Sequence, residues 1–181
     1  MKEQFNDPLL LAGKVLAIIM QAIMAFAGIV LAILIPVLIL FQDTINAELR
    51  AEQAATLTDL PVWPVVGLFV CVLIVAALVF LFFGKLRAII GTVTERDPFV
   101  PENAERLNGM AWLLLAVQVL MVPAAALGLI VAEWSKQLEN TDMTVDAGLD
   151  LTGIMMVIVL FILARVFKQG AAMRADLEGT V

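Results

Sequence analysis

The sequence predicts an all-α polytopic membrane protein, with four transmembrane helices in a bundle and both termini cytoplasmic. Three observations carry that reading. Hydrophobic residues make up 62% of the chain and charged residues 15%, against about 45–50% and about 25% in soluble domains. The mean hydropathy is +1.02. The charges are also not scattered, because long charge-free runs separate short charged segments. A soluble chain of this size leaves about 30% of its unfolded surface wet, so water would meet too much apolar side chain. The net charge of −6 and pI near 4.5 speak against direct nucleic-acid binding, which calls for a basic face. With no His, no Tyr and the single Cys71, an internal disulfide, a Cys/His zinc site and a His-based triad are all excluded. No cofactor is expected.

The first charge-free run extends unbroken from Val15 to Gln42. About 20 apolar residues cross the ~30 Å hydrocarbon core, so residues 15–41 form the first span. The run is about twice the ~7–15 residues of a signal-peptide apolar region and is followed by no small-residue cleavage site, so it is expected to be a retained helix. Residues 42–60 are an outer acidic loop. The second run, from Leu60 to Gly84, gives a span over 61–84. Pro61 and Pro64 fall in its first turn, where a missing N–H costs nothing, and Thr58 or Asp59 is the expected cap. Residues 85–106 form a cytoplasmic loop. The third run, from Leu107 to Ala132, gives a span over 107–132, followed by an outer acidic loop at 133–146. The fourth run is shorter, from Leu151 to Ala164, and does not cross the core by itself. A span over 147–167 follows if Arg165 snorkels to the headgroups and Asp150 sits in the interface. Residues 168–181 are a cytoplasmic tail.

Orientation follows from counting Lys and Arg outside the spans. The N-terminal segment, the middle loop and the tail carry nine, and the two outer loops only Arg50 and Lys136. The outer loops, counted with Asp150 at the entry to the fourth span, together hold a charge of −7 and the cytoplasmic segments +1. Trp63 and Trp134 stand at the outer ends of the second and third spans and Trp112 towards the inner end of the third, as interface anchors do. Pro36 and Pro123 lie inside spans and are expected to kink them.

Helices in lipid associate through close packing and polar contacts. Ala124, Gly128 and Ala132 in the third span, and Gly28 and Ala32 in the first, offer small residues at four-residue spacing. Gln21 and Gln118 are polar residues well inside the first and third spans, and their amides need partners, either each other or a carbonyl freed by a kink. No charged residue lies deep in any span, which argues against energised transport. No phosphate loop, metal-ligand cluster or nucleophile–base pair is present, so neither catalytic nor metal residues are assigned. Asp142, Asp146 and Asp150, at i, i+4, i+8, would share a helix face where a divalent cation could bridge them; a solvated acidic loop is the simpler account.

The most distinctive stretch is 97–107, Asp97-Pro98-Phe99-Val100-Pro101-Glu102-Asn103-Ala104-Glu105-Arg106-Leu107. Pro98 keeps its predecessor out of the α region, Pro101 suits a first helical turn, and Glu102 and Glu105 complement the positive end of the dipole. The stretch resembles the P-F-x-x-x-N-A-x-R-L signature of a family of bacterial four-span membrane proteins catalogued as a domain of unknown function. The tail agrees: Gln169-Gly170, Asp176-Leu177 and Thr180-Val181 resemble the family's Q-G…D-L-T-V ending, with Glu178-Gly179 interrupting it. The resemblance implies four membrane helices, a cytoplasmic C-terminus and a bacterial inner-membrane location. It also implies a regulatory partnership, since such members are often encoded beside small helix-turn-helix regulators. No catalytic residue carries over.

Two functional readings follow. In the first the protein is a non-enzymatic interaction or regulatory component, with Asp97, Pro98, Phe99, Asn103 and Arg106 contacting a regulator or a second copy of the chain. In the second it is a passive small-molecule transporter, channel subunit or ligand-binding protein, with Gln21 and Gln118 lining a path.

Overall fold

The computed structural model describes residues 8–53, 58–94, 97–138, 143–145 and 150–178, and the regular elements among them are all α-helices. In chain order they are α1 (Pro8–Leu40), α2 (Gln42–Gln53), α3 (Val62–Thr94), α4 (Pro101–Ser135) and α5 (Leu151–Glu178). Four of them, α1, α3, α4 and α5, are long and apolar enough to cross a membrane. The all-α polytopic class read from the sequence is the class observed.

The distribution of side chains suits lipid as the solvent. Bulky apolar residues point outward, with Phe26, Ile33, Val122 and Ile162 each more than half exposed. The buried apolar set is instead rich in alanine: Ala17, Ala76, Ala104, Ala111, Ala124, Ala132 and Ala164. Lipid tails are as apolar as leucine, so nothing drives large side chains inward, whereas small ones let helices approach.

Helix ends have local causes. Pro8 opens α1, where its fixed φ and absent N–H fit the first helical position. Helical bonding carries from α1 into α2 across Phe41, whose N–H donates to the Val37 carbonyl and whose carbonyl accepts from Ile45, both at 3.0 Å. α2 occupies 42–53 of the stretch predicted as a loop. It carries Asp43 in its first turn and Arg50 in its last, each where the helix dipole favours it. Asn46 Oδ1 accepts the Leu60 N–H at 2.9 Å, and Arg50 Nη2 meets Asp59 Oδ1 at 2.5 Å. Both side chains of that ion pair are 55% exposed, so Arg50→Ala is expected to change stability by no more than ~0.5 kcal/mol in thermal unfolding of the detergent-solubilised protein.

Contacts gather the chain into two units. The first comprises Met1–Ala25, Ala77–Gln118 and Asp150–Val181. Its core is Ile89, Leu107, Met110, Ala111, Leu160 and Ala164, with Phe82, Leu86, Leu114 and Phe161 packed against it. Trp112 stands edge-on to Phe161, ring centroids 5.5 Å apart.

The second unit comprises Phe26–Ala76 and Val119–Leu149. Gly67 admits Leu127 so closely that a Cβ there would lie 3.0 Å from its Cδ1. Ala124, Gly128 and Ala132 are all buried, with Val145 over Gly128. In α1, Gly28 is half-buried near Leu73 while Ala32 is exposed. Neither expected residue caps α3. Thr58 instead ties the approach to α3 to the end of α4: its hydroxyl and amide both donate to Gln137 Oε1, at 2.7 and 3.2 Å, and its carbonyl accepts from Trp134 Nε1 at 3.0 Å. Asp59 is held by Arg50, and α3 opens with Val62 N–H on the Leu60 carbonyl and Val65 N–H on that of Pro61.

Candidate functional site

The turn from α3 to α4 is built around one amide. Asn103 is fully buried, and its side chain makes three bonds. Nδ2 donates to Thr92 Oγ1 at 2.7 Å and to the Pro98 carbonyl at 2.9 Å, while Oδ1 accepts from Arg106 Nη1 at 2.8 Å. Thr92 donates its own hydroxyl to the Ile89 carbonyl at 2.8 Å. The Asp97 N–H returns to the Thr92 carbonyl at 3.0 Å, satisfying one of the carbonyls left open at the end of α3. Pro101 then opens α4 with Glu102 in its first turn, as the dipole argument requires. The turn is thus held from the end of one helix to the start of the next.

α5 closes over it. Phe99 stacks on Phe167 with ring centroids 5.4 Å apart. It also fills the space above Gly170, where a Cβ would come within 2.7 Å of Cδ1. Asp97 Oδ1 pairs with Arg174 Nη1. The stretch proposed as a partner-binding motif therefore spends its distinctive side chains inside the chain: Asn103 on the turn, Arg106 on Asn103, Phe99 and Asp97 on α5. Sequence reasoning missed Thr92, Phe167 and Arg174; only Gly170 carried a signal, as part of the tail motif.

Beside the turn, α4 and α5 border a cleft of about 590 Å³. Glu105 and Asn108 line it from α4, and Arg165 and Lys168 from α5, over a floor of Ala164, Ala171 and Ala172. Its four polar side chains are exposed, which leaves them available to another molecule.

The two glutamines do not meet. Gln21 Nε2 donates to the Phe80 carbonyl of α3 at 3.3 Å. Gln118 Nε2 donates to Asp150 Oδ2 at 3.0 Å. Asp150 also caps α5, its Oδ1 accepting the Gly153 N–H at 3.0 Å and its carbonyl accepting from Ile154 at 3.1 Å. Gln118 is the middle residue of α4, which runs Pro101–Ser135. The sequence set Asp150 at the outer entry to the fourth span; the structure sets it beside the midpoint of α4, so a carboxylate does stand next to the centre of an apolar run. Asp142 and Asp146 lie outside the described residues, and among the described residues no three of His, Cys, Asp and Glu gather as metal ligands. Cys71 is buried and unpaired within α3, where a thiol serves as a small apolar group.

No curated protein and no solved structure matches the chain. Residues 50–181, nearly three-quarters of the chain, match the family described as "Protein of unknown function (DUF2975)". The matched stretch contains α3, α4 and α5, with the Asn103 turn and the tail that packs on it, and leaves α1 outside. On that match the chain belongs to the DUF2975 family.

Proposed function

We propose that this protein is a non-enzymatic interaction or regulatory component of a bacterial inner membrane, docking a cytoplasmic partner at the end that carries the α3–α4 turn. The observation that supports this most is the cleft lined by Glu105, Asn108, Arg165 and Lys168. The Asn103 network and the Phe99–Phe167 stack fix both of its walls, while its own polar side chains are left for a partner. The excess of Lys and Arg on the termini and middle loop supports a cytoplasmic position for this end. The family resemblance supports a small helix-turn-helix regulator as the partner, with a second copy of the chain as the other candidate.

A photo-crosslinking residue placed at Lys168, and separately at Glu133 in the last turn of α4, tests the reading in native membranes. The expected result is an adduct from position 168 alone, containing either a helix-turn-helix protein or a dimer of about twice 19.6 kDa. No adduct, or the same adducts from both positions, would overturn it. One observation favours the second reading, a passive transporter or ligand-binding protein. The Gln118–Asp150 pair puts polar groups beside the middle of α4, and intramembrane ionisable groups commonly mark a substrate path. Its test is uptake or conductance in liposomes, with no flux counting against it.

A further inference from the structure

We propose that a second cleft, of about 320 Å³, is a binding site for an anionic phospholipid, with Lys85 and Arg106 holding the phosphate. The cleft is lined by Gln21, Phe80, Leu81, Gly84, Lys85 and Arg106, among others, and no Asp or Glu among the described residues lines it. Lys85 directly follows the second charge-free run, and Arg106 directly precedes the third. Both cations therefore stand where an apolar run ends, the level at which headgroups sit.

The two charges are neighbours. The Lys85 side chain lies across Gly109, so that a Cβ on that glycine would be 3.0 Å from both Cε and Nζ. Gly109 lies at i+3 from Arg106 on α4, on the same face one turn along. Both cations are half-buried. Arg106 gives Nη1 to Asn103, and a guanidinium has further N–H groups to offer. Lys85 has no hydrogen-bond or ion-pair partner among the described residues. Two cations lining one cleft, with donors to spare and no acid among its described lining residues, repel each other until an anion with several acceptor oxygens lies between them.

The rest of the lining selects a lipid. Phe80 and Leu81 are 38% and 52% exposed, and they continue from the cations onto the apolar surface of α3. A phosphodiester at Lys85 and Arg106 would carry an acyl chain along that wall, whereas free phosphate would leave it uncovered. An anionic headgroup matches two positive charges; a zwitterionic one brings its own cation to a site already holding two.

Native mass spectrometry of the full chain in neutral detergent tests the assignment, using phosphatidylglycerol, phosphatidylcholine, or inorganic phosphate in excess. The expected result is one retained phosphatidylglycerol per chain, with much weaker retention of phosphatidylcholine and no displacement by phosphate. Lys85→Gln should lower phosphatidylglycerol affinity by about tenfold. It leaves the Arg106–Asn103 bond in place, so the helical turn stays intact. Arg87→Gln, exposed on the same helix and outside the cleft, should bind as the parent does. Equal retention of the two lipids, equal loss in the Lys85 and Arg87 variants, or no loss in Lys85→Gln would overturn the site. Displacement by inorganic phosphate would reassign it to a free anion and overturn the lipid.

Discussion

Replacing Asn103 by Ala is expected to destabilise the protein by about 3 kcal/mol, measured as unfolding free energy in a denaturing-detergent titration. The side chain is fully buried and makes two neutral bonds and one to a guanidinium. A neutral bond contributes about 0.5–1.5 kcal/mol net and one to a charged group about 1.5–3 kcal/mol. Truncation also takes from the half-buried Pro98 carbonyl the donor it has here. Thr92→Val keeps the shape and removes the acceptor, so it should cost about 1 kcal/mol. The double variant should cost less than the sum, since both changes break the same bond. A stable Asn103→Ala protein that loses the position-168 adduct would instead make this amide a partner contact. A loss below ~0.5 kcal/mol, less than a single neutral hydrogen bond contributes, with the adduct retained, would remove it from both roles.

How much was legible in the residues depends on which physics each feature rests on. α1, α3 and α4 were readable because lipid demands long charge-free runs, and the runs are printed in the chain. Their lengths were not, because charge marks where the lipid ends and not where the helix does. α3 continues past Lys85 to Thr94 and stops only where Asp97 turns back to the Thr92 carbonyl. α2 escaped because it is short and mostly polar, with an apolar stripe reduced to Ile45 and Leu49, and it is tied down by the Asn46 bond to Leu60, beyond the helix. The 97–107 motif was visible as a set of residue types, while its inward direction was not. That direction depends on Phe167, Gly170 and Arg174, which lie on another helix far along the chain. The place of Asp150 beside Gln118 was equally hidden, since so short a charge-free run is compatible with more than one register against α4.

Gly153→Ala should change sign with its background. In the parent chain a Cβ at Gly153 would overlap the Gln118 amide and crowd Asp150 Oδ2. The obstacle is the far end of a flexible side chain, so Gln118 can swing aside, but it then surrenders its bond to Asp150. Gly153→Ala should accordingly destabilise the parent. In a Gln118→Ala background the obstacle and the bond are both gone. Asp150 Oδ2, no longer held by the amide, is free to turn away from the new Cβ, and the preference for Ala over Gly in a helix, up to ~1 kcal/mol, then decides, so the same substitution should now stabilise. Helical contacts in membranes couple weakly on average, and a reversal of sign is a stricter test than a magnitude. If Gly153→Ala destabilises both backgrounds equally, the two residues are not in contact. The register that sets α5 against the midpoint of α4, and with it the mid-helix position of Asp150, would then be wrong.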